Sequence, residues 1–261
     1  MSETRAYDYG RLGPPEGARV VIGGGCGGIG SAVVKGCLET NLDVTIVDLA
    51  ETEAQNPAPA GAKFIAMDAY REESVRAAFG EIESAGPALD ALINLIGSGN
   101  KPAPLALLET ESWDDVISRN LRSAFLISKA AMPLLKASGA GAIVHTASGA
   151  AYRGIPGVGS YTAAKAGLIG MTKTFAVENA PEVRANVIAP GGVTNKVKVD
   201  PKTGKATGPQ GLDVGYTLKT IPLGRFADPE DLVAPFLFLA GPSSGYMTGQ
   251  VLQLSGGMLT P

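Results

Sequence analysis

Apolar residues arrive along the chain in short, dense runs separated by longer stretches of helical spacing. The runs are "RVVIG" (19–23), "DVTIVD" (43–48), "AKFIAMD" (62–68), "LDALINLIG" (89–97), "GAIVHTAS" (141–148), "VRANVIAP" (183–190) and "QVLQLSGG" (250–257). They are rich in β-branched residues and do not alternate with polar ones, which predicts strands covered on both faces. Between them the spacing predicts helices over 28–40, 72–86, 112–138, 159–180 and near 229–240. Ser112 with Asp115 offers an N-terminal cap for the long helix. Strands alternating with helices predict an α/β chain whose right-handed crossovers give a doubly wound, mostly parallel sheet.

Residues 1–17 read as a loose arm that ends at Pro14, Pro15 and Gly17, and 18–261 read as one domain. The stretch 191–220 is rich in Gly, Pro and Lys and has no clear period, the pattern of a substrate loop or lid. The 261 residues are 45% hydrophobic, enough for one large core. A net charge of −3 gives no basic footprint for nucleic acid. Two cysteines cannot build a disulfide framework, and the first residues have no apolar core for a signal peptide. No apolar run reaches membrane-spanning length. These features predict a cytoplasmic protein with no membrane or nucleic-acid partner, and no metal-ligand set is expected.

The stretch "GGGCGGIG" (23–30) follows the first strand and opens the first helix. A glycine-rich turn there lets a pyrophosphate approach the backbone. Its glycines fit G-x-G-x-x-G in two frames and G-x-x-x-G-x-G in a third, at Gly24, Gly28 and Gly30. The second strand ends in Asp48, where a carboxylate can accept hydrogen bonds from ribose hydroxyls and would repel a 2′-phosphate. With no Lys or Arg in 23–31 or beside Asp48, NAD is favoured over NADP. Cys26 is read as a small side chain that the turn needs, and Cys37 as packing against the sheet.

Tyr161 and Lys165 stand four apart, on one face of a helix. A tyrosine with a pKa near 10 is a poor base at neutral pH. Lowering it to about 7 takes about 4 kcal/mol of differential interaction, within reach of a close ammonium. Ser148, thirteen residues earlier, closes a strand at the same sheet edge and could hold a substrate oxygen.

With these motifs in order the chain resembles the short-chain dehydrogenases/reductases from about residue 18 to 259. The pieces are Gly24-x-x-x-Gly28-Ile29-Gly30, Asp48, Asp68, "INLIG" (93–97), Asn120, Ser148, Tyr161-x-x-x-Lys165, "PGGVTN" (190–195) and "GYMTGQVLQLSGG" (245–257). The resemblance implies a single-domain Rossmann fold with a mostly parallel seven-stranded sheet and direct hydride transfer between a carbinol carbon and nicotinamide. It implies Tyr161 as acid/base, Ser148 orienting the substrate oxygen, Lys165 binding the nicotinamide ribose and lowering the tyrosine pKa, and Asn120 holding a relay water. It further implies Asp68 and Ala69 beside adenine, Asn94 and Gly97 near the adenosine ribose, and Pro190, Gly191 and Val193 along the nicotinamide. The same frame selects Gly24, Gly28 and Gly30, and leaves Gly25 and Gly27 as turn-permissive extras. Most relatives are homotetramers.

Two departures stand out. The family's second asparagine after the fourth strand is replaced, giving Asn94-Leu95-Ile96-Gly97, and the nicotinamide-side threonine is either Thr194 or displaced by Asn195. His145, the only histidine, reads as an internally hydrogen-bonded strand residue. Lys196, Lys198, Lys202 and Lys205 read as a solvated loop, and Arg153 as a somewhat better anion contact. The expected activity is NAD-dependent conversion between a small-molecule secondary alcohol and its ketone. The alternatives are a 3-oxoacyl-thioester reductase, which in this family commonly prefers NADPH, and a non-catalytic nucleotide-binding regulator.

Overall fold

The computed structural model describes residues 8–99, 101–194, 198–199, 206–207 and 214–259. Asn195, Lys196, Lys202 and Lys205 lie outside them, as does the side chain of Lys198. Seven strands form one sheet: β1 (Arg19–Gly23), β2 (Asp43–Asp48), β3 (Lys63–Ala66), β4 (Ala91–Asn94), β5 (Gly141–Thr146), β6 (Val183–Pro190) and, last in the chain, β9 (Val251–Leu254). Their spatial order is β3-β2-β1-β4-β5-β6-β9 and every pairing is parallel. The strand order reverses beside β1, which opens a crevice between the carboxyl ends of β1 and β4. A two-stranded antiparallel pair, β7 (Lys198–Val199) with β8 (Ala206–Thr207), stands apart.

The helices are α1 (Gly28–Glu39), α2 (Ala50–Gln55), α3 (Glu72–Ser84), α4 (Thr110–Ile117), α5 (Ser123–Ala137), α6 (Gly159–Asn179), α7 (Val214–Lys219) and α8 (Val233–Ala240). Each strand feeds two cores. Val20 and Ile22 join Val33, Val34, Ile46 and Phe236 on one face, while Val21 joins Phe79, Leu92, Ile127 and Leu135 on the other. Successive side chains still point to opposite faces, but both faces are dry, so the strands show no polar alternation.

Four expectations are adjusted. The helix over 112–138 is two helices joined by a wide π turn at Ser118–Arg122, where the Ser123 N–H reaches back to the Ser118 carbonyl. Its start is Thr110 after Glu109, and no side chain caps it, so the Ser112–Asp115 box is not used. Helix α2 lay hidden because it buries no residue and so carries no apolar stripe. The arm is tied down over residues 8–17. Arg11 donates to the Pro14 and Thr40 carbonyls, and Gly13 packs on Leu237.

His145 sits fully buried in β5. The Asn94 amide Nδ2 lies 3.3 Å from its Nδ1, and Ser128 Oγ 3.1 Å from its Nε2. An amide donor on Nδ1 leaves the proton on Nε2, facing Ser128. Burial first, and the Lys165 charge second, push the imidazole down to about 3. The folded chain therefore refuses a proton that the unfolded chain takes near pH 6.5, so stability present above 6.5 is lost as pH falls toward 3. That slope reaches about 1.4 kcal/mol per pH unit. Urea unfolding between pH 6.5 and 4.5 should show a shallower acid loss for His145→Asn than for the wild type. Equal slopes would remove His145 as a cause.

Candidate active site

A cleft of about 460 Å3 runs along the carboxyl ends of the central strands. One end is the glycine turn. β1 closes on Gly23 and α1 begins at Gly28, with the Gly24 N–H on the Val47 carbonyl at 3.0 Å. Gly24 holds φ +78, and a Cβ on Gly30 would overlap the Gly24 carbonyl. Gly25 is more than permissive, because a Cβ there would stand 2.8 Å from Ile46 Cγ2. Gly27 precedes α1 with no side-chain cap, and no acid occupies the first turn. Gly24, Gly28, Ile29 and Gly30 line the cleft. An uncapped helix N-terminus with open glycine backbone fits the pyrophosphate of a dinucleotide.

Asp48, 9% exposed, lies behind this turn. Its carboxylate accepts the Cys26 N–H at 3.1 Å and the Leu49 N–H at 2.8 Å. Burial pushes its pKa up, and those two N–H groups pull it down. Among the described residues no Lys or Arg side chain is paired with it. Burial, helped by Asp48 and Glu53, raises the Cys26 thiol to about 11, against a thiolate role. Cys37 is fully buried, as expected.

The other end of the cleft gathers Ser148, Tyr161 and Lys165. Ser148 follows β5, and its Oγ accepts the Ala150 N–H at 3.2 Å, opening a 3-10 turn over Gly149–Tyr152. That leaves its hydroxyl proton to donate elsewhere. Tyr161 and Lys165 lie one turn apart on α6, with the Lys165 Nζ 5.6 Å from the Tyr161 ring centre. Lys165 is 3% exposed and donates to the Thr146 carbonyl at 2.8 Å. Burial pushes the Tyr161 phenol up, while its hydrogen bond with Ser148 pulls it down.

Asn120 sits in the π turn, fully buried. Its Nδ2 donates to the Ser98 carbonyl at 2.7 Å and the Val116 carbonyl at 2.9 Å, and its Oδ1 has no hydrogen-bond partner among the described residues. A Cβ on Gly97 would strike that Oδ1 and come within 3.0 Å of Lys165 Nζ. Four predicted residues, Asn120, Ser148, Tyr161 and Lys165, thus converge.

The remaining predicted residues divide. Gly97, Pro190, Gly191 and Val193 line the cleft. Asn94 stands behind it, using Oδ1 on the Ile96 N–H at 3.1 Å and Nδ2 on His145. Ile96 in turn packs against Gly23 and Gly24, so the departure from the family pattern is filled by apolar contact behind the turn. Asp68 accepts the Tyr70 N–H at 2.9 Å beyond β3, and Ala69 is buried. Thr194 gives its hydroxyl to Asp228 at 2.9 Å and does not line the cleft. Sequence reasoning missed Val214 and Thr217 of α7, Phe226 and Met258 in the cleft wall. Only α7 left a signal, two residues at helical spacing inside the presumed irregular loop.

Among the described residues no group of His, Cys, Asp and Glu could hold a metal, and no helix is long and apolar enough to cross a membrane. A family model described as Enoyl-(Acyl carrier protein) reductase matches residues 24–259. The 3-oxoacyl-(acyl-carrier-protein) reductase FabG of Chlamydia muridarum is 33% identical, over 91% of this chain and 96% of its own. The probable galactose dehydrogenase GalD of Rhizobium meliloti is 32% identical, over 92% and 94%. A solved Brucella melitensis structure titled short-chain dehydrogenase/reductase, glucose/ribitol dehydrogenase, superposes with a TM-score of 0.80 at 26% identity, over 95% of this chain and 98% of that one. Sheet order, site geometry and these matches agree: the chain belongs to the short-chain dehydrogenase/reductase family of oxidoreductases.

Proposed function

We propose that the protein interconverts a secondary alcohol and its ketone with NAD, in the oxidative direction under cellular conditions. The observation that carries this reading is one cleft with an uncapped, glycine-lined helix N-terminus at one end and Ser148, Tyr161 and Lys165 at the other. A nicotinamide dinucleotide held there supplies the hydride acceptor or donor. The glycine turn would hold its pyrophosphate, Asp48 its adenosine ribose, and Gly191 and Val193 would flank the ring. Lys165 would hold the second ribose.

The chain's own groups handle the proton. Ser148 donates its hydroxyl to the substrate oxygen, since its Oγ already accepts from Ala150. Tyr161 takes the alcohol proton as phenolate or returns it as phenol. Burial alone works against the phenolate, and the buried Lys165 ammonium beside the ring favours it. Asn120 offers its unpartnered Oδ1 to a water that carries the proton on from Lys165. The family resemblance also supports a homotetramer.

Asp48 supports NAD over NADP, because a buried carboxylate with no paired cation among the described residues repels a 2′-phosphate. A second reading, reduction of a 3-oxoacyl thioester, is favoured by several relatives of that name at 30–38% identity.

A spectrophotometric screen of secondary alcohols with NAD+ and NADP+ separates the two. The expected result is NAD+ turnover with a large NAD+ preference, which Asp48→Asn reduces about tenfold or more. A wild-type preference for NADP+ would overturn the assignment of Asp48. Tyr161→Phe should lower turnover about 1000-fold, and undiminished turnover would favour a non-catalytic regulator. Oxidation needs the phenolate, so kcat/KM should rise with pH to a plateau. Lys165→Met should move that rising limb to higher pH, and an unmoved limb would take Lys165 out of the tyrosine's titration.

A further inference from the structure

Beyond Ser148 the cleft opens between the 3-10 turn, α7 and the C-terminal segment. Ile155, Val158, Val214 and Phe226 make that end apolar. The charged side chains lining the whole cleft are Lys165 and Arg153, and no Asp or Glu among the described residues lines it. Lys165 is committed to the Thr146 carbonyl. Among the described residues no carboxylate is paired with Arg153. Its Nη2 points at the Met258 sulfur, 3.3 Å away, and no described acid lies within ion-pair distance. A thioether is a weak acceptor for a guanidinium.

The position of Arg153 is fixed to the catalytic machinery. It follows directly on the 3-10 turn that Ser148 caps, five residues after that serine. The C-terminal segment closes over the same end, with Met258 against Gly191 and Leu259 against Gly149. An arginine fork with no counter-ion among the described residues, set at the mouth of an apolar cleft, matches an oxyanion in geometry and charge.

We propose that the substrate is a hydroxy acid, its carboxylate held by Arg153 in place of the Met258 contact while Ser148 and Tyr161 hold the hydroxyl oxygen. The inference rests on the alcohol-oxidising reading above and names its substrate class. The carboxylate is recognised and takes no part in bond making. Between the two ends lies a short apolar spacer, which the walls of Ile155, Val158, Val214 and Phe226 accept. Arg153 is exposed at the mouth, so its effect is open to screening by salt.

The test measures kcat and KM for 2-, 3- and 4-hydroxypentanoate and for their methyl esters, with wild type, Arg153→Met and Arg153→Lys. At least one acid should exceed its ester in kcat/KM by about tenfold or more. The difference should sit in KM and shrink as salt rises. Arg153→Met should bring the ratio close to one, and Arg153→Lys should keep part of it. An acid-to-ester ratio near one in the wild type, or one that survives Arg153→Met, overturns the proposal. If no member of the panel is turned over, melting of the dinucleotide complex with pentanoate and with methyl pentanoate decides. An Arg153-dependent rise with pentanoate alone supports the proposal, and no rise with either overturns it. Failure of the underlying reading shows separately, as turnover undiminished in Tyr161→Phe.

Discussion

The Lys165 ammonium, almost fully buried and donated to the Thr146 carbonyl at 2.8 Å, is the contact on which the site depends. It ties the first turns of α6 to the carboxyl end of β5, and so sets Tyr161 on the helix against Ser148 beyond the strand. A charge taken this far from water is tolerable only where polar groups are turned toward it. The Thr146 carbonyl serves that need, and the bare Gly97 leaves room for the Lys165 ammonium and the Asn120 Oδ1. The same charge forbids a second cation nearby. His145, one residue before Thr146 in β5, is accordingly held neutral between Asn94 and Ser128.

The two ends of the cleft hold positive potential in different ways. At the glycine turn it comes from backbone N–H groups and the helix dipole, which binds phosphate without a charged side chain. At the tyrosine end it comes from charged side chains, the buried Lys165 ammonium and, at the mouth, the Arg153 guanidinium. Relatives bearing the names of an acyl-carrier-protein reductase and a galactose dehydrogenase match this chain equally well over nearly their whole length. Overall similarity therefore does not separate these two named activities.

The strands were legible in the sequence because both sheet faces are dry and the apolar runs are unbroken. The glycine turn and the Tyr161–Lys165 pair stood out in the sequence because their spacing is local, within one turn of chain or helix, whereas Ser148 was singled out by its place at a strand end and Asn120 through the family resemblance. Other features left no local trace. Gly25 is required by Ile46, a residue on the neighbouring strand, so its spacing within the turn suggested only tolerance. Met258 reaches the cleft through the path of the last residues, which no periodicity encodes. Asn94 is spoken for inside the sheet, its amide bonded to the Ile96 N–H and to His145, partners that its position in the sequence does not reveal. Helix α2 buries nothing, and the ends of α4 and α5 merge in an apolar spacing that continues across their junction.

That junction governs more than its five residues. A turn of α-helix advances about 100° per residue, so one added residue rotates everything beyond it by about that angle. Residues before Ser118 and after Arg122 therefore obey two angular registers. The first lets α4 lie on α6, and the second lets α5 lie on α3 and β5. Asn120 stands where the two registers meet, with its amide on the Val116 carbonyl inside the widened turn. Removing a single residue there would leave both segments helical and equally apolar. It would also put their packing faces out of phase, so that seating one helix correctly would unseat the other.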